Sequence, residues 1–175
     1  QCKEIWLNLI DAASSPRTML SHQALQFADK LYSSFASTLC LQTSQWITLL
    51  LNYTCSSHQF LADDATACLL TIADNSPRNR VFSSMMSGLK HKNSIARGRA
   101  IQCLSILSSQ GNLEDKELKL MIQNIAPLTR DTRAETRDSA KRTLKELIQD
   151  ERFSSMAKTS LSSQDYTDLK KCIGF

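Results

Sequence analysis

The stretch DTRAETRDSAKRTLKEL, residues 131–147, sets Ala140, Leu144 and Leu147 four and then three positions apart, the spacing of one buried face on an α-helix. The same pattern recurs as Ala24/Ala28/Leu31, Ala65/Leu69/Ile72 and Ala100/Leu104/Leu107. Its first member advances by 41, 35 and 40 positions, a period typical of helical solenoids, whose units bury their apolar faces on one another. Each copy reads as the second helix of a helix–turn–helix unit, with Ala where a larger side chain would hold the paired helix away. The expected class is all-α, and such a solenoid is first of all a binding surface.

Working outward from these copies, the whole chain reads as paired helices. The first pair is expected at residues 2–12 and 18–37, parted by Ser14-Ser15-Pro16-Arg17, residues that end helices and make turns. The second spans 43–55 and 59–74, with Trp46, Leu49, Leu50 and Tyr53 on one stripe and Phe60, Leu61, Ala65, Leu69 and Ile72 on the other. The third spans 77–90 and 94–108, with Val81, Phe82, Met85 and Leu89 facing Ile95, Ala100, Leu104 and Leu107. The fourth, after Gln110-Gly111-Asn112, spans 114–128 and 133–149, and places Leu118, Ile122 and Ile125 opposite Ala140, Leu144 and Leu147. Ser162-Ser163-Gln164-Asp165 resembles a helix start, so Tyr166, Leu169, Cys172 and Ile173 are expected on a C-terminal capping helix. The architecture is an α-α superhelix of about four pairs plus that cap, forming a single domain over residues 1–175. A start at Gln1 without Met reads as a fragment of a longer protein.

Composition agrees. Four glycines and three prolines leave few helix breakers, and 42% apolar with 22% charged residues is ordinary for a globular chain. The longest apolar run, around Trp46 to Leu51, is too short to span a bilayer, so no membrane role is expected. Cys2, Cys40, Cys55, Cys68, Cys103 and Cys172 are scattered without any CxxC pair. They are expected to be reduced thiols of a cytoplasmic protein. Asn52-Tyr53-Thr54 spells a glycosylation acceptor but falls inside an expected helix.

The paired helices resemble HEAT repeats. In that family the second helix carries a hydrophobic residue and Arg, then Ala three positions after the Arg and Leu at four and seven further, with Asp six positions before the Arg. Asp131, Arg137, Ala140, Leu144 and Leu147 fit this pattern, with Thr136 in the hydrophobic slot. The third copy keeps Arg97, Ala100, Leu104 and Leu107 but has His91 in the Asp position, and copies one and two have Ser21 and Ala62 in the Arg position. The resemblance covers residues 2–149.

Charge is concentrated. Residues 1–74 carry a net −3 and residues 114–175 a net +1, whereas residues 75–113 hold Arg78, Arg80, Lys90, Lys92, Arg97 and Arg99 with no acid. A one-sign region is either a solvated face or a surface for an acidic partner. Lys90-His91-Lys92 lies in the turn inside the third pair, Arg130 and Arg133 lie in the equivalent turn of the fourth, and Arg17 in that of the first. Equivalent turns of a solenoid share one edge, so Arg17, Lys90, Lys92, Arg130 and Arg133 are expected to form a basic, partner-binding ridge. Ser56-Ser57-His58-Gln59, the second turn, adds only polar groups.

Such a ridge resembles the tubulin-binding edge of TOG domains, including arrays of the crescerin and CLASP kind, in which the turns inside each pair contact tubulin. The resemblance implies a non-catalytic module binding tubulin or microtubules, located in the cytoplasm at the cytoskeleton or in the cilium. TOG domains have six repeats as a rule and a Trp in the first such turn. Here four are visible, and Trp6 and Trp46 both fall inside first helices. The alternatives are a general HEAT scaffold for another protein and a nucleic-acid-binding helical repeat. Against the latter, residues 83–152 contain no aromatic side chain to stack on bases.

Nothing points to an enzyme, a cofactor or a metal. His22, His58 and His91 have no ligand partners at zinc spacing, and no phosphate loop or nucleophile elbow is present. Asp63-Asp64 is the one tight carboxylate pair, but neighbours on a helix diverge by about 100°. They read instead as first-turn acids complementing a helix dipole.

Overall fold

The small residues of the repeated pattern lie where helices cross. Ala24, Ala65, Ala100 and Ala140 are all buried, as are Leu69, Leu104 and Leu144 four positions after the last three; each such leucine contributes about 1.5–3 kcal/mol by leaving water. A computed structural model describes residues 2–36 and 43–175, with the backbone alone at residues 2 and 3. Cys40 and the side chain of Cys2, expected as reduced thiols, lie outside that description.

Among the described residues the chain forms ten α-helices and no strand: α1 (Cys2–Ala13), α2 (Thr18–Phe35), α3 (Thr43–Tyr53), α4 (Gln59–Asn75), α5 (Arg78–Gly88), α6 (Ser94–Ser109), α7 (Asp115–Ile125), α8 (Ala134–Leu147), α9 (Phe153–Ser160) and α10 (Ser163–Ile173). A 3-10 turn at Ala126–Arg130 joins α7 to α8. Second helices α2, α4, α6, α8 and α10 stack in order as one layer, while in the other α3 rests on α5 and α7 on α9. This is the expected solenoid, with one addition. The C-terminal cap is a full fifth pair, because α9 precedes α10 and buries Phe153 and Ala157.

Close approach is visible at two glycines. A Cβ on Gly88 would lie 2.9 Å from the Ala100 Cβ, so α5 and α6 touch there without side chains between them. A Cβ on Gly98 would lie 2.9 Å from the Thr136 hydroxyl on α8. Thr136 fills the slot where the family carries a hydrophobic residue, and its hydroxyl donates to the Ser94 carbonyl at 2.9 Å. At the N-terminal end Trp6, Tyr32 and Trp46 form an aromatic core, with ring centroids 5.3 and 6.0 Å from Trp6.

Two expectations change. Phe60, placed on the buried stripe of α4, is 40% exposed, because the buried face runs through Leu61, Ala65, Leu69 and Ile72 and a residue one position earlier is turned about 100° away from it. Asp63 and Asp64 lie beyond that first turn. Asp64 instead pairs with His22 on α2 and accepts from Gln26, tying the first two repeats together. Cys55, Cys68, Cys103 and Cys172 are free thiols, and burial pushes Cys68 and Cys103 up to about 12.

Candidate functional site

The turn inside each of the first four pairs is built by one device from different side chains. The Ser15 hydroxyl accepts from the Arg17 N–H, Ser56 from His58, the His91 ring nitrogen Nδ1 from Asn93, and the Asp131 carboxylate from Arg133, all at 3.1–3.2 Å. An acceptor side chain reaching the amide two residues on closes a local turn. Each accepted amide belongs to the N-cap residue of the following helix, and the four N-caps share one extended conformation, with φ from −82° to −94° and ψ from 100° to 131°. Arginines brace the last two turns from inside the pair. Arg97 donates to the carbonyls of His91 and Lys92 at 2.7 and 3.1 Å, and Arg137 to those of Asp131 and Thr132 at 2.8 and 3.0 Å.

Contacts between repeats carry each turn region onto the next. The Tyr53 hydroxyl, at the end of α3, donates to the Ala13 carbonyl at the end of α1. His91 meets the Asn52 amide oxygen at 3.1 Å; since Nδ1 accepts from Asn93, Nε2 is the nitrogen that donates. Asp131 receives Arg97 Nε at 2.7 Å and the Ser94 hydroxyl. Arg130 reaches Asp165 on α10 at 2.7 Å. The turns therefore line one edge of the solenoid. His91 stands in the Asp position and, like Asp131, links back to the preceding repeat.

Asp131 is the electrostatic centre of this frame. Burial pushes its carboxyl up, but hydrogen bonds from Arg97, Ser94 and the Arg133 amide, with the Arg97 charge, outweigh that and hold it well below the ordinary carboxylate range. At the family's Asp and Arg positions, a contact between neighbouring copies is present only here among the described residues, in keeping with Ser21 and Ala62 in the Arg position of the first two copies.

The ridge residues occupy two registers on this edge. Arg17 and Arg133 are both N-cap residues, alongside His58 and Asn93; Lys90 and Arg130 each stand three positions before such a cap, and Lys92 stands one before. All five are exposed. They are not equally available. Arg130 pairs with Asp165 and Asp168, at 2.7 and 3.4 Å, and Arg133 pairs with Glu135 at 2.8 Å. Of the acid-free region, Arg78 is held by Glu117 and by the carbonyls of Gly111 and Asn112, and Arg97 by Asp131. Lys90 and Lys92 face no acid among the described residues, so the positive field is centred on the third turn.

An apolar row accompanies the cations and was missed at the level of sequence. The second residue of each second helix is Met19, Phe60, Ile95 and Glu135 in turn. Met19 is 61% exposed, Ile95 is half-buried, and the Phe60 ring lies against His22 and His58 with centroids 5.4 and 5.7 Å apart. The signal was available as a common offset from the N-cap, but an apolar residue there also continues the buried stripe. The edge thus grades from apolar and aromatic over the first two repeats to cationic over the third. Among the described residues there is no group of His, Cys, Asp and Glu able to hold a metal ion, and no helix is long and apolar enough to cross a membrane.

No curated protein matches the sequence. Among solved structures, the N-terminal domain of MAST/Orbit superposes with a TM-score of 0.74 at 15% identity, over 99% of this chain and 79% of that one. An engineered protein superposes with a TM-score of 0.52 at 15% identity, over 94% and 75%. At such identity these likenesses concern the fold, a HEAT-repeat array of the TOG type. The sequence itself matches the family described as CLASP N terminal over residues 1–171, and the chain belongs to that family.

Proposed function

We propose that this domain is a non-catalytic module that binds tubulin or microtubules through the edge formed by its intra-pair turns. The observation that carries the reading is the third turn, where Lys90 and Lys92 stand exposed without an acid partner on a scaffold braced by Arg97 and Asp131. A rigid one-sign patch steers an acidic surface into register, and Met19 and Phe60 on the same edge supply apolar anchors of the kind that dominate interface energetics. Arg17 extends the patch toward the first repeat. Arg130 and Arg133 contribute less, since each already has a carboxylate partner. We infer a cytoplasmic, cytoskeletal setting, with which buried, unreactive Cys68 and Cys103 agree.

Sedimentation with microtubules and gel filtration with unpolymerised tubulin, both at low salt, test the proposal. Binding in either format, competed poorly by duplex DNA, supports it. Duplex DNA that displaces tubulin, or no binding in either format, rejects it and leaves a scaffold for a different partner.

A further inference from the structure

We propose that the trough between α5 and α7 is a second docking site, taking a short acidic amphipathic helix from a protein partner. First helices of neighbouring repeats pack together at α3–α5 and α7–α9, but α5 and α7 barely touch. Ser83 and Ser87 on the facing wall are too small to close the gap. What remains is an open cleft of 440 Å³, within the range of about 300–1,000 Å³ usual for ligand sites. Phe82, Met86 and Leu120 give it an apolar floor.

The ends of the trough identify the occupant. The two helices run in the same direction, since Arg78 at the start of α5 meets Glu117 near the start of α7 while both helices end at the turn edge. Lys116, in the first turn of α7, therefore stands at one end and Lys90, just past α5, at the other. Neither lysine has an acid partner among the described residues, and the lining acid, Glu117, is taken up by Arg78 at 3.3 Å. From Phe82 to Lys90 the wall runs eight residues, about 12 Å at 1.5 Å per residue. Two turns of helix fit that length, with apolar anchors one turn apart on the floor and a carboxylate at each end, the helix-in-groove mode of recognition. Lys90 is shared with the turn edge, whereas Lys116 lies at the opposite edge from the turns, so variants at Lys116 test this site apart from the tubulin reading.

The test uses the whole chain with methyl-labelled methionines and a synthetic peptide of about twelve residues carrying two leucines one helical turn apart and a glutamate beyond each. The Met86 methyl should shift saturably while those of Met121 and Met156 stay in place. A permuted peptide of the same composition should leave Met86 unmoved. Lys90→Glu and Lys116→Glu should each weaken binding about tenfold, and a peptide with lysine in place of the matching glutamate should restore the affinity of the Lys116→Glu variant. Lys116→Glu should also sediment with microtubules as the parent does, so that failure of one site is distinguishable from failure of the other. An unmoved Met86, an equal response to the permuted peptide, or lysine reversals without effect would overturn the proposal.

Discussion

Asp131 holds the third and fourth repeats together through a single carboxylate, whose side chain is 2% exposed against 17% for its partner Arg97. Removing one member of such a pair strands the other in a desolvated site, so Asp131→Asn should destabilise the domain by about 3 kcal/mol at neutral pH. The pH dependence has a definite sign. A carboxyl held below its unfolded value stabilises the fold at all pH above that value, about 4, and the contribution fades as pH falls toward the folded one. Urea unfolding followed from pH 7 to pH 2.5 should show stability falling below about pH 4 in the parent and a flatter acid limb in Asp131→Asn. Gly88 makes the complementary case. Alanine is the better helix former by about 1 kcal/mol, yet its methyl would meet the Ala100 Cβ at 2.9 Å, and neither backbone can yield cheaply. Gly88→Ala and Ala100→Leu should therefore both lower the unfolding midpoint, by about 1–3 kcal/mol of stability. An unchanged midpoint in both would contradict the α5–α6 register.

At the level of the elements, nine of the ten described helices and the places of the turns were legible in the sequence, while α9 and the way the turns are built were not. The i, i+4, i+7 spacing that opens on Ala marks α2, α4, α6 and α8 because small and large apolar residues set on a single face have few other uses in a chain this poor in Gly and Pro. α9 escaped because Phe153 and Ala157 are its only buried residues in a serine-rich stretch. The turn device escaped because Ser15, Ser56, His91 and Asp131 share no chemistry beyond an acceptor atom, and only the structure reveals that all four cap the same amide. Charge was legible as a block but not as availability: within it, Arg78 and Arg97 are committed to Glu117 and Asp131. Arg130 illustrates the consequence. Reversing it would confront Asp165 and Asp168 with a third acid, so Arg130→Glu should raise the exchange of α10 amides while those of α4 and α6 stay protected, as hydrogen-exchange mass spectrometry would register. Unaltered α10 exchange would mean that this contact does not hold the last pair in place. For that reason a charge-reversal test of the edge is cleaner without Arg130.

The molecule as a whole is a short solenoid with two stitched edges. Opposite the turns, Gln110 donates to the carbonyls of Ala73 and Asp74, and Arg152 reaches the Leu113 carbonyl and Asp115, so side chains fix the links between pairs as firmly as those within them. Among the described residues, stability of this kind rests on packing and hydrogen bonds, with Cys55, Cys68, Cys103 and Cys172 free. A structural disulfide would contribute about 2–4 kcal/mol; reductant should accordingly leave the thermal midpoint where it is, and a large drop would contradict the reading of the cysteines as free thiols. The turn edge, and the third turn above all, is the surface we propose meets tubulin. The most direct measurement compares the parent, Lys90→Glu/Lys92→Glu, and a control triple reversal at Lys141, Arg142 and Lys145 on α8, in microtubule sedimentation at low salt after equal thermal unfolding has been verified. The turn variant should stay in the supernatant while parent and control pellet; a turn variant that pellets as fully as the parent would show that the basic edge is only a solvated surface.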